Sequence, residues 1–255
     1  MISIEHLSKR FRKLVVLDDI NARFDKGQVV SLIGPNGSGK TTLIKSILGM
    51  VKPDRGEIMV NGHPITENPV YRELIGYMPQ IGRYPDNMKI GQLFRMLQHI
   101  RSKPGLRQDL ELFEKFELEK IESKPMRTLS GGTRQKVSAA IAFLFDPSIL
   151  ILDEPTAGLD PLASEILKAK IMQEKQKGKL VLITSHILSD IDELTTHILY
   201  LQDGKMQFIK PLETLQEETG ELRLGKAIAK IMRGENIPGN WIDRMLDVNQ
   251  NEKIY

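Results

Sequence analysis

The sequence contains no cysteine. That absence excludes disulfides, thiolate metal sites and a cysteine nucleophile, and it suits a reducing compartment. An excess of one charge is lacking too: 36 Lys and Arg against 33 Asp and Glu leave a formal net charge of +3. So balanced a chain gives no electrostatic argument for nucleic acid as a partner, and most of its charges are expected on solvated surface. The five histidines, His6, His63, His99, His186 and His197, are scattered and never take the close spacing of a zinc site. Long apolar runs are missing as well. The most apolar stretch, Val137 to Phe145, is far too short to span a bilayer. The opening MISIEHLSKRF turns polar too early for a signal peptide. A role at a membrane therefore calls for a span on another chain.

What remains is an ordinary globular composition, 40% hydrophobic and 27% charged over 255 residues. Segments rich in leucine and β-branched residues alternate with amphipathic ones, which predicts a largely parallel sheet covered by helices. VVSLIG (Val29 to Gly34), ILILDE (Ile149 to Glu154) and LVLITSH (Leu180 to His186) are apolar on both faces, as buried central strands are. GEIMVNG and HILYLQDGKMQFI predict hairpins, with Asn61-Gly62 and Asp203-Gly204 as tight turns. ISIEHLSKRF and VVLDDINARF alternate as half-exposed antiparallel strands do.

From Asn87 to Arg127 the strand signal fades and helical signal takes over, in MKIGQLFRMLQHIR and LRQDLELFEKFEL. This reads as a helical lobe inserted in the core, spanning about residues 87–135 with the helix start that follows. Beyond position 210 a tail is expected, with a short helix, a second helical stretch in ELRLGKAIAKIM, and a last segment that orders only if Trp241 docks.

Gly34 to Thr41 fits G-x-x-x-x-G-K-[ST] between a buried strand and a helix. Gly34, Gly37 and Gly39 let the backbone curl so that successive N–H groups point at phosphate, with Asn36, Ser38 and Thr42 completing the loop, and the helix that follows adds its dipole. Lys40 is placed to reach the β- and γ-phosphates, and Thr41 to ligate Mg²⁺. ILILDE delivers Asp153 and Glu154 together at a buried strand end, where carboxylates are costly unless they meet a cation. Asp153 suits the metal, and Glu154 suits a general base polarising the attacking water. Gln80, in GYMPQ, could touch both metal and water; His186 could donate to the γ-phosphate. The bland alternative for each is a surface residue or loop start, and it loses only beside an intact phosphate loop.

A second helix start, TLSGGTRQK at Thr128 to Lys136, carries Ser130 as a candidate N-cap, with Gly131 and Gly132 leaving N–H groups unobstructed. The bland explanation is that it merely begins a core-facing helix, whose Val137, Ile141 and Leu144 recur at helical spacing. Yet one domain cannot easily wrap both helix ends around a single triphosphate, whereas two copies facing head to tail can. Each copy would then close the other's nucleotide with Ser130 and the Gly132 N–H.

GPNGSGKTT, YMPQ, LSGGTRQK, ILILDEPTAGLD and ITSH follow one another as they do in the ATP-binding subunits of ABC transporters, and the chain resembles that family from Ile2 to about Phe208. The resemblance implies an α/β fold: a RecA-like P-loop NTPase core, an N-terminal antiparallel β subdomain and an inserted helical lobe carrying the signature. It implies an ATP-binding domain over 1–210 followed by a short helical tail over 211–255. ATP and Mg²⁺ are the implied cofactors. Phe11 falls where the family sets an aromatic against adenine, and Asp160 in the loop that connects the two sites, where it can also cap a helix before Pro161. A homodimer across the ATP sites, and polytopic membrane permease subunits held by coupling helices near Gln80, are the implied partners. A periplasmic accessory protein is a possible further one, no nucleic acid is, and the implied location is the cytoplasmic face of the membrane. Thr133 replaces the family's usual glutamine; Ser130 and Gly132 are kept.

The ending ELRLGKAIAKIM is similar to the tails of ATPases serving ABC-2-type exporters, and LSGGTRQKVSAAIAFLFDPSILILDEPTAGLDP to those of nitrous-oxide-reductase copper-site maturation. The rival from another class is a soluble ABC ATPase acting in translation or DNA repair, but those fuse two such domains or insert long coiled coils, and this chain does neither. A nucleotide sensor without turnover is disfavoured by Glu154 and His186.

Overall fold

The computed structural model describes residues 1–103 and 105–233. Expectations for the segment beyond, Trp241 among them, lie outside the described residues. Two sheets organise the molecule. The smaller is built from β1 (Ile2–Phe11), β2 (Leu14–Phe24), β4 (Arg55–Val60) and β5 (His63–Pro64), in the order β2-β1-β4-β5 and antiparallel throughout. The larger has six strands in the order β10-β9-β3-β8-β7-β6. Here β3 (Val29–Ile33), β6 (Ile75–Met78), β7 (Ile149–Asp153), β8 (Leu180–Thr184) and β9 (His197–Gln202) run parallel, and β10 (Lys205–Pro211) returns antiparallel on the edge.

The period of two along the central strands divides the core. Val29, Leu150, Leu152, Val181 and Ile183 face one apolar cluster, shared with α4 (Gly131–Phe143), α5 (Pro161–Gln176) and α2 (Ile90–Ile100). Val30, Leu32, Ile149, Ile151, Leu180 and Leu182 face the other, shared with α1 (Lys40–Ile47) and the antiparallel sheet. Both faces of β3, β7 and β8 are therefore sealed, which is why their sequences are almost without polar residues.

The predicted hairpin turns form: Asn61 and Gly62 have φ of 53° and 81°, and Asp203 and Gly204 have 50° and 77°. The lobe is less helical than its sequence suggests. A helix expected over LRQDLELFEKFEL reduces to α3, Glu111–Lys115, followed by a 3₁₀ turn at Leu118–Ile121. Glu117, at φ 54°, breaks the α-helix between them. In the tail, α6 (Leu212–Thr219) forms as expected, but α7 starts at Leu224 rather than Glu221 because Gly220, at φ 68°, redirects the chain.

Candidate active site

The strand β3 enters the loop 34–39, and α1 begins at Lys40. Gly37 and Gly39 adopt φ of 82° and 106°, conformations that L side chains resist. A Cβ on Gly39 would also fall 2.7 Å from the Val16 carbonyl oxygen, so the loop lies tight on β2. The first N–H groups of α1 have no intrahelical partner. Lys40 Nζ donates to the Gly34 and Pro35 carbonyls at 2.7 and 3.0 Å. Burial pushes the Lys40 ammonium below its ordinary pKa, opposed by the negative charges of Glu154 and Asp153.

These residues line a cleft of about 270 Å³ together with Val16, Gln80, Asp153, Glu154, Thr184 and His186. Asn36 to Thr42 are all on its wall. Asp153 and Glu154 are both buried, at 7% exposure. His186 touches Glu154 twice: its Nε2 lies 3.2 Å from Oε1, and its backbone N–H donates to Oε2 at 3.1 Å. Glu154 itself sits at φ 54°, a left-handed conformation that costs a non-glycine residue on the order of 1–3 kcal/mol. The Tyr77 phenol on β6 is pushed up to about 12, by burial first and then by the Asp153 charge. It therefore stays neutral beside the carboxylates.

Phosphate and a divalent cation fit this site on the molecule's own evidence. Ser38 Oγ is buried at the loop without a hydrogen-bond partner. Thr41, Gln80 and Asp153 bring a hydroxyl, an amide oxygen and a carboxylate to one cleft, the oxygen donors a hard cation takes.

Six candidates stay out of the cleft wall. Gly34 lies beneath the loop, where a Cβ would meet the Leu201 carbonyl at 2.0 Å. Phe11 ends β1 at 47% exposure, with Lys9 Nζ 5.4 Å from its ring centroid. Ser130 caps α4, its Oγ accepting from Thr133 N–H at 3.1 Å and paired with Thr133 Oγ1 at 2.8 Å. Gly131 and Gly132 open that helix, and Asp160 caps α5 by accepting from Ala163 N–H at 2.8 Å, with Pro161 first in the helix. Sequence reasoning missed Val16 and Thr184. Thr184 had half a signal, as the one polar residue of an otherwise apolar strand; its place next to Asp153 in register is visible only in the structure.

A phosphate loop between a buried strand and a helix, facing paired carboxylates on a parallel sheet, defines a P-loop nucleoside triphosphatase. The family model described as ABC transporter matches residues 17–157. The lantibiotic transport ATP-binding protein SrtF of Streptococcus pyogenes is 33% identical over 81% of this chain and 89% of its own. The ABC transporter ATP-binding protein YtrB of Bacillus subtilis is 31% identical over 93% and 82%, and the Nod factor export ATP-binding protein I of Ralstonia nicotianae 30% over 86% and 70%. Among solved structures, an ATP-binding subunit of an ABC transporter superposes with a TM-score of 0.84 at 29% identity, covering 91% of this chain and 99% of that one. A dimeric bacterial ABC transporter cassette shares the fold, with a TM-score of 0.75 at 24% identity over 83% and 99%. The chain belongs to the ABC transporter ATP-binding family, and it is an ATPase.

Proposed function

We propose that two copies of this chain close head to tail on two ATP molecules and that the closure drives separate membrane subunits. One observation carries the reading: the cleft holds the phosphate loop, Asp153, Glu154 and His186, while Ser130, Gly131 and Gly132 of the same chain are not on its wall. A second copy supplies them. That one of the fold neighbours is described as a dimer supports pairing of two chains.

In this reading Asn36 to Thr42 hold the phosphates and Phe11 stacks on adenine. Thr41, Gln80 and Asp153 hold Mg²⁺, which neutralises charge on the phosphates when bound. Glu154 takes the proton of the attacking water, and His186, already against Glu154, fixes that carboxylate and donates toward the γ-phosphate. Ser130 and the Gly132 N–H reach the partner's γ-phosphate, and Asp160 lies in the loop between the two sites.

Coupling helices of polytopic permease subunits would dock beside Gln80, on the cytoplasmic face, with a periplasmic accessory protein as a further possible member. No helix among the described residues is long and apolar enough to cross a membrane. The relatives named for lantibiotic transport and Nod factor export favour an ABC-2-type exporter. The narrower reading, copper-site maturation, rests on the wording of Leu129 to Pro161 alone.

The test is Glu154→Gln. It should bind ATP, lose turnover by roughly 10²–10⁴-fold, and run as a dimer with ATP and a monomer without it. A strictly monomeric variant in saturating ATP would overturn the proposal.

A further inference from the structure

The hydroxyl of Thr184 joins the two carboxylate residues. Its Oγ1 donates to Asp153 Oδ1 at 2.5 Å and accepts from the Glu154 backbone N–H at 3.2 Å. The same N–H also reaches the Thr184 carbonyl oxygen at 3.1 Å. The register of β7 and β8 creates the arrangement by setting Asp153 directly beside Thr184. Nothing about strand packing asks for a hydroxyl there: Leu180, Val181, Leu182 and Ile183 are fully buried and apolar, and Thr184 is 2% exposed. A buried hydroxyl needs partners, and both of these belong to the reaction site.

We propose that Thr184 is a positioning residue for the ATPase reaction, setting the Asp153 carboxylate toward the cation and holding Glu154 in its left-handed backbone conformation. The inference rests on the reading of Asp153 as cation ligand and Glu154 as base. One proton serves two purposes. Spent on Oδ1, it fixes the carboxylate plane and leaves Oδ2 without a hydrogen-bond partner among the described residues, free for a cation. With the proton so directed, the lone pairs of Oγ1 face the Glu154 amide. That amide is where a strained residue is easiest to lose, because φ 54° at Glu154 persists only while its surroundings hold it. Removing the hydroxyl while keeping the shape therefore acts first on the cation ligand, and on the base through a Glu154 amide left with the Thr184 carbonyl alone. Partners that orient metal ligands in this way change affinity or activity by about 10–100-fold when removed.

The experiment compares Thr184→Val, Thr184→Ser and Asp153→Asn with wild type. Binding of N-methylanthraniloyl-ATP is titrated against Mg²⁺, alongside turnover and thermal unfolding without nucleotide. Thr184→Val should raise the half-saturating Mg²⁺ concentration about tenfold or more and lower kcat, and Thr184→Ser should restore both. If Thr184→Val lowers only the melting temperature, with Mg²⁺ dependence and kcat unchanged, the hydroxyl is strand filling and the proposal falls. If Asp153→Asn leaves the Mg²⁺ dependence unchanged, the site reading beneath it fails as well. Should the valine variant not fold, Thr184→Ala and Thr184→Ser are read in the same titration, and equal Mg²⁺ half-saturation for the two overturns the proposal.

Discussion

Lys136 Nζ lies 2.6 Å from Asp160 Oδ2, tying the second turn of α4 to the cap of α5. Two neighbouring contacts run alongside. Gln135 Nε2 donates to the Glu154 carbonyl at 3.3 Å, and Gly132 packs so closely on Gly158 that a Cβ would fall 2.6 Å from its carbonyl oxygen. The helix capped by Ser130 is thus fastened to the segment 154–160 along its first two turns. The lysine hydrogen bond, ahead of the Ala163 amide, holds the Asp160 carboxyl below its usual range.

The ion pair and the cap can be separated. Asp160→Asn and Lys136→Met each remove the pair from an exposed setting and should shift the urea midpoint little. Asp160→Ala also removes the cap and should lower it clearly more. A depressed carboxyl stabilises above its unfolded pKa and stops doing so as pH falls through the folded one. The gap between Asp160→Asn and wild type should therefore close in acid, as pH-dependent urea titrations would register.

Gly131 and Gly132 should answer differently to alanine, although they are neighbours. At Gly132 the added carbon forces the helix off the 154–160 segment, an overpacking cost of about 1–3 kcal/mol. At Gly131 it meets nothing within 4 Å, so stability without nucleotide should hold or rise slightly. Any turnover lost in Gly131→Ala would then report the surface offered to a second copy. Melting curves without ATP, paired with turnover, separate the two; a destabilised Gly131→Ala would contradict the geometry.

The parts of the fold legible in sequence are those where one physical signal stands alone. Strands β3, β7 and β8 are apolar on both faces, and only burial between two layers explains that. Asn-Gly and Asp-Gly supply the positive φ that tight hairpins require. Ser130 and Asp160 could be placed as caps because each precedes a helix start by one residue. The lobe was harder to read, since Leu106 to Leu118 has helical composition but Glu117 turns left-handed, which no local pattern announces. The strand order β10-β9-β3-β8-β7-β6 is a long-range fact, and with it went the role of Thr184, which exists only because β8 lies beside β7.

Lys40 gives a pH prediction for binding. Burial lowers its pKa from 10.5, and in the proposed role the phosphates of ATP need the ammonium form. ATP affinity should therefore weaken in mild alkali, at a pH below that of an exposed lysine. Lys40→Ala should lose more than tenfold in affinity, from about 2 kcal/mol of charge-assisted hydrogen bonding, and lose the alkaline dependence as well. Calorimetric titration of ATP across pH 7 to 10.5 tests both.

A buried ion cluster joins the lobe to the core, away from the cleft. Lys170 Nζ meets Asp109 Oδ2 at 2.5 Å, Glu111 Oε2 at 2.7 Å and Glu174 Oε1 at 3.0 Å, and Lys179 pairs with Asp146 and Glu174. Burial alone would raise the Glu174 carboxyl, but hydrogen bonds from Lys177, Lys179 and Lys170 bring it down to about 2. Removing Lys170 takes the only cation from the half-buried Asp109 among the described residues, while Glu111 keeps Lys115 and Glu174 keeps Lys177 and Lys179. Lys170→Met should cost about 1–3 kcal/mol and speed amide exchange across residues 105–118, where Asp109 and Glu111 lose their anchor. The acid limb carries the sign. Glu174, depressed when folded, stabilises above its unfolded pKa near 4.5 and loses that contribution as pH falls toward 2. Glu174→Gln should be less stable than wild type at pH 7, and the difference should shrink between pH 4.5 and 2. Urea midpoints at constant ionic strength would show it. A gap that stays constant across that range would mean the cluster holds the lobe by shape rather than by charge.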